Sequence, residues 1–202
     1  MKLTPEELEI LADTRFFDLK KSATEKIMKA FGELEYQLKK HLIPNYQTNL
    51  IELDGRSGKI FRGENYKNLP YIVLDYPRLF GKTGVFAFRS MFWWGNGFSF
   101  TLHLQGESLS GRIDSINKNL ALLAGKNVYV CMNDTPWEYD YGEENYLALD
   151  YLLDAGRARF EPETEFIKLS RRCTEMEQIA LIDYGKETLK MFLELFCDQE
   201  PM

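Results

Sequence analysis

The chain reads as one α+β domain in which an antiparallel sheet, centred on an aromatic hairpin, is flanked by N-terminal and C-terminal helices. Three features predict this. Helical periodicity fills both ends, while the middle breaks into short strand-like segments punctuated by Gly and Pro. Between them, Val85 to Gln105 holds two aromatic strands folded back on one another through Gly95-Asn96-Gly97. The order of strands and helices is not an alternation of βα units, which excludes a doubly wound parallel sheet. At 202 residues the chain is one domain long. Its parts are N-terminal helices over 1–45, sheet with inserted helices over 46–173 and a C-terminal helix over 174–198.

Thr4-Pro5-Glu6-Glu7 carries an N-cap, a proline at the first helical position and a carboxylate three residues on, so a capping box opens the first helix. A break at Asp13-Thr14 separates it from a longer helix expected from about Asp18 to Leu42, where Ala23, Ile27, Phe31, Leu34 and Leu38 recur at helical spacing and Pro44 ends the pattern. Short strands follow at Asn49–Leu53 and Lys59–Phe61 around the Asp54-Gly55-Arg56-Ser57-Gly58 turn. Tyr71 to Tyr76 is apolar on both faces and reads as an interior strand in which Asp75 requires a partner.

In the hairpin, a three-residue loop ending in a positive-φ Gly97 sets Trp94 opposite Phe98, Phe92 opposite Phe100 and Phe88 opposite Leu104, all on one apolar face. The other face then pairs Trp93 with Ser99, Met91 with Thr101, Arg89 with His103 and Ala87 with Gln105. A two-residue loop, Asn96-Gly97, would mix apolar and polar residues on both faces, so the longer loop is preferred. Beyond the hairpin, Ser108 or Ser110 is placed to cap a helix bearing Ile113, Ile116, Leu120 and Leu123, closed at Gly125. A strand over Lys126–Met132, an acidic and aromatic solvated loop around Trp137–Asn145, and a helix from Asn145 to Asp154 ended by Gly156 come next. Arg157–Phe160 and Glu165–Leu169 read as strands, and Thr174-Glu175-Met176-Glu177 as a capping box opening the last helix.

The helical N-terminus, the segment Lys59-Ile-Phe-Arg-Gly-Glu-Asn-Tyr-Lys-Asn-Leu-Pro-Tyr71 entering a strand, and a hairpin ending in Leu102-His-Leu-Gln-Gly106 together resemble bacterial α+β families of unknown function. The resemblance covers the first half of the chain. It implies a fold and no activity.

Composition narrows the function classes. A formal net charge of -6 argues against a nucleic-acid surface, which needs clustered Lys and Arg. The acidic start and the lack of a long apolar run predict a cytoplasmic chain with no membrane span. Three widely spaced cysteines give neither a disulfide framework nor a zinc pattern, and the carboxylates Glu138, Asp140, Glu143 and Glu144 do not follow calcium-loop spacing, so neither metal nor cofactor is implied. Gly55-Arg-Ser-Gly-Lys59 and Gly81-Lys82-Thr83 lack the spacing and the following helix that a phosphate loop needs, and read as turns.

What remains is the polar face of the hairpin. Arg89, Met91, Trp93, Thr101 and His103 form the candidate ligand-binding set, since Trp and Arg are common anchors of binding surfaces. The function expected is therefore a non-catalytic ligand-binding or protein-interaction domain, with a small molecule or a protein as partner and a homo-oligomer through the terminal helices left open. The alternative is a hydrolase or transferase in which His103 is the general base, Asp75 or Glu107 orients it and Arg89 stabilises an anion.

Overall fold

A computed structural model describes residues 2–46, 58–175 and 180–197. Helices α1 (Pro5–Ala12) and α2 (Thr14–Gln37) are followed by a π turn over Leu38–Leu42. The sheet strands are β1 (Lys59–Tyr66), β2 (Leu69–Phe80), β3 (Gly84–Trp93), β4 (Gly97–Gly106), β5 (Val128–Cys131), β6 (Tyr146–Ala148) and β7 (Phe166–Cys173). Helices α3 (Glu107–Ser110), α4 (Ile113–Asn119), α5 (Leu149–Asp154) and α6 (Leu181–Glu194) complete the described elements. The strands form one sheet in the order β1-β2-β3-β4-β7-β5-β6, every neighbouring pair antiparallel. The predicted α+β class with helices at both ends is what the chain adopts.

The capping box at Thr4 forms as expected, with Thr4 N donating to Glu7 Oε2 at 2.6 Å and Glu7 N donating to Thr4 Oγ1 at 3.2 Å. Asp13 then caps α2 by accepting from Phe16 N, so this helix starts four residues before the predicted Asp18. Its Phe31 and Leu34, with Leu38 of the π turn, pack with Leu189, Phe192 and Leu193 of α6 over one face of the sheet. The two helices meet β4 where Gly185 leaves no side chain. A Cβ there would stand 2.9 Å from Leu34 Cδ2 and from Phe100 Cε1.

The hairpin register differs from the expected one by two residues. Trp93 pairs with Gly97, Phe92 with Phe98, Arg89 with Thr101 and Ala87 with His103. The turn is Trp93–Asn96, closed by Asn96 N donating to Trp93 O at 2.9 Å, and Gly95 supplies the positive φ of 75° that its third position needs. Gly97 does have positive φ, 81°, but as the first paired residue of β4, where a Cβ would lie 2.5 Å from Cys173 O of β7. A shift of two keeps the period of the pleat, so the predicted faces survive. Phe86, Phe88, Phe92, Phe98, Phe100, Leu102 and Leu104 belong to the core under the helices.

Four other readings change. Ser108 and Ser110 do not cap α4, whose N-cap is Arg112 with no side-chain capping bond. Asn145–Asp154 opens as strand β6 because Tyr129, Val130 and Cys131 offer a free ladder, and only 149–154 is helical. Arg157–Phe160 is not a strand. Arg157 N donates to Leu152 O at 2.8 Å, and at Phe160 a side chain replaces the ladder, with Asn117 Nδ2 donating to Phe160 O at 2.8 Å and Phe160 N donating to Asn117 Oδ1 at 2.9 Å. The last helix begins at Leu181 after Ala180; Asn49–Leu53 and part of the Thr174–Glu177 box lie outside the described residues. Among the described residues no helix is long and apolar enough to cross a membrane.

Candidate functional site

The helices cover one face of the sheet, and the chain covers much of the other with the loop joining β5 to β6. This strap, residues 132–145, is closed at its base by Met132 N donating to Asn145 O at 2.8 Å and by Asn133 Nδ2 donating to Asn145 Oδ1 at 2.6 Å. It is not the solvated loop that its acidic composition suggests. Tyr139 and Asn145 are buried, and Glu138 and Asp140 form ion pairs with Lys67 after β1.

Under the strap lies the polar face of the hairpin. Asp75 finds its required partner in Arg89, with Nε donating to Oδ1 at 2.7 Å and NH2 donating to Oδ2 at 2.8 Å. The third arm of the same guanidinium donates to Tyr139 Oη at 2.8 Å. Burial works against the Arg89 charge, yet its bonds to Asp75 and Tyr139 outweigh that and leave it more firmly protonated than usual. Burial pushes the Tyr139 phenol up to about 12, so it remains a neutral hydroxyl. Tyr66 of β1 clamps the strap twice, donating to Glu138 Oε2 at 3.0 Å and accepting from Tyr139 N at 2.8 Å.

On β7, alternation turns Lys168 and Ser170 toward the same layer. The Lys168 ammonium donates to the strap carbonyls of Pro136, at 2.8 Å, and Glu138, and lies 3.6 Å from the centre of the Tyr139 ring. Burial is the main force pushing this lysine down to about 7, helped by the Arg89 charge and opposed by Cys131 and Glu138. Ser170 Oγ shares hydrogen bonds with Thr101 Oγ1, at 2.6 Å, and with Tyr141 Oη.

The hairpin residues therefore meet on one face, as expected, but most do not meet solvent. Met91, Thr101 and His103 are buried, and Arg89 is committed to Asp75 and Tyr139. Trp93 is half-buried, its indole N–H donating to Tyr66 O at 3.2 Å. With Met91 it borders a cleft of about 210 Å³ between the hairpin tip, Tyr139–Tyr141 and Arg172.

Among the described residues neither expected acid orients His103. Its ring stands edge-on to Trp137 and Phe166, and its Nε2 has no hydrogen-bond partner among the described residues. Asp75 is occupied by Arg89, and Glu107 accepts from Thr83 at the surface. Burial, reinforced by Lys168 and Arg89, pushes the imidazole down to about 4, which opposes the charged form a general base must reach.

A second opening lies beside the strap. An open cavity of about 500 Å³ is lined by β5, the start of the strap, α5, Leu120 just after α4 and the segment 157–166. Leu120, Val130, Leu149, Leu152, Phe160 and Phe166 give it an apolar floor, and Arg157 and Arg159 stand exposed at its rim beside Asp134 and Glu165. Neither arginine side chain has an ion-pair partner among the described residues. The Cys131 thiol also lines it, and burial raises its pKa, so it is a thiol rather than a thiolate nucleophile.

Sequence reasoning missed this cavity because its walls come from four separate stretches and its arginines sit in a segment read as a strand. It also missed Lys168. The available signal was a lysine at the inward-alternating position between Ile167 and Leu169.

No family model, curated protein or solved structure matches the chain.

Proposed function

We propose that the protein is a non-catalytic binding protein of the cytoplasm that holds a small amphiphilic anion, an apolar chain or ring carrying one carboxylate, in the cavity beside the strap. One observation carries this reading: a hollow of about 500 Å³ with an apolar floor and, at its mouth, the exposed Arg157 and Arg159, neither in an ion pair among the described residues. That volume falls within the range usual for small-molecule sites, and such sites are mostly apolar with a few polar groups that fix orientation. A guanidinium offers a carboxylate two parallel hydrogen bonds, and the floor takes up the apolar tail. The hairpin residues Arg89 and His103 serve this site indirectly. They seat the strap, whose Asn133 and Asp134 form part of the cavity wall.

Titration calorimetry with decanoate tests the proposal. Wild-type protein is expected to bind decanoate with a negative heat-capacity change, and the pair Arg157→Ala and Arg159→Ala to bind it roughly tenfold more weakly, as loss of a charge-assisted bond implies. Ala158→Trp, which fills the hollow from a half-buried loop position, is expected to abolish binding while leaving the unfolding midpoint near that of the wild type. Absence of binding by the wild type at millimolar decanoate, or unchanged affinity in Ala158→Trp, would contradict it.

A further inference from the structure

Helix α1 and the first turns of α2 extend past the rest of the fold. No residue of α1 is buried, and the first ion pair tying α2 to the sheet is Lys20 to Glu64 at 2.7 Å. A helix of eight residues is marginal in water on its own, even with a capping box. Yet this arm is rich in large apolar side chains. Leu8, Ile10, Leu11, Phe16, Phe17 and Leu19 are 47–68% exposed. On α2, Phe17 continues the stripe that runs through Thr24, Phe31 and Leu34 into the core, so the core-facing side of the helix carries on where no core lies beneath it.

We infer that this arm is the interface of a homodimer in which α1 of one chain packs against the start of α2 of a second copy. Exposed area and charge both favour a second copy as the occupant. With Leu3 included, the exposed apolar side chains amount to roughly 700 Å², close to the roughly 800 Å² per partner of a standard stable interface. Charge is also self-complementary. The α1 region carries Glu6, Glu7, Glu9 and Asp13 against a single Lys2, whereas the start of α2 carries Arg15 and Lys21, exposed and with no ion pair among the described residues, against a single Asp18. A two-fold axis sets the acidic segment of each chain on the basic segment of the other twice over. The same acids repel an anionic bilayer, which disfavours a membrane surface as the occupant.

Sedimentation equilibrium on the full chain tests the inference, with two charge-reversed proteins: Glu6→Lys with Glu9→Lys, and Arg15→Glu with Lys21→Glu. All four positions are exposed, and urea unfolding checks that both proteins stay folded. Wild type is expected to be dimeric at tens of micromolar, each reversed protein to associate at least tenfold more weakly, and an equimolar mixture of the two to recover association. Leu11→Asp with Phe17→Asp is expected to be monomeric and still to unfold cooperatively, with a midpoint that no longer depends on protein concentration. A wild-type chain that stays monomeric to millimolar concentration, a mixture that fails to associate, or a monomer that instead binds neutral phosphatidylcholine vesicles through Phe17 would overturn it.

Discussion

Asp75→Ala is expected to destabilise the protein by about 3–5 kcal/mol, the loss typical when one partner of a buried ion pair is removed. The Asp75 side chain is 3% exposed and Arg89 17%, so the guanidinium left behind faces the strap with little water to replace the carboxylate. Its remaining bond, to Tyr139 Oη, offers a neutral acceptor for a full charge. Most of the loss belongs to the stranded charge rather than to the pair itself. Asp75→Leu combined with Arg89→Met is accordingly expected to recover most of the stability. Urea unfolding of the three proteins measures both effects. A cost below about 1 kcal/mol for Asp75→Ala, in the range of exposed pairs, would mean that the strap does not exclude water from this face.

The second large effect concerns acid. Burial holds His103 down at about 4 against its ordinary 6.5, so between those pH values the unfolded chain binds a proton that the folded chain refuses. Stability from this group is complete above pH 6.5 and is lost as pH falls toward 4. At about 1.4 kcal/mol for each pH unit separating the two values, the loss approaches 3 kcal/mol. Lys168, held at about 7, acts in a separate window, since its unfolded form binds the extra proton only between about 7 and 10.5. The measurement is the difference in unfolding free energy between wild type and His103→Leu at a series of pH values. That difference should shift by about 3 kcal/mol against the wild type between pH 7 and pH 4, because carboxylates titrate in both proteins and cancel. Parallel profiles would show that His103 is not buried in its neutral form.

Much of the architecture was legible because local rules and packing agree. The capping box at Thr4, the stripe through Phe31 and Leu34, and the alternation of Phe86, Phe88 and Phe92 each point to the same sheet-and-helix arrangement. The hairpin faces were legible while its register was not, since a displacement of two residues leaves alternation untouched and only the turn geometry at Gly95 separates the two pairings. Asp75 announced its need for a partner, and the partner was among the residues singled out. The strap was misread because Glu138, Asp140, Glu143 and Glu144 weigh toward solvent in any local window. Tyr139 is buried and Tyr141 half-buried by contacts with Tyr66, Arg89, Lys168 and Ser170, all distant in sequence. The cavity had no local signature at all.

In the proposed binding mode the ligand sits beside the strap while the hairpin face stays closed, and methyl and indole NMR spectra recorded during a decanoate titration test this most directly. The expected result is shifts confined to the methyl groups of Leu120, Val130, Leu149, Leu152 and Ala158, with the Trp93 indole and the Met91 methyl unmoved. Shifts centred on Trp93 and Met91, with the cavity methyls silent, would place the site in the hairpin cleft and contradict the account.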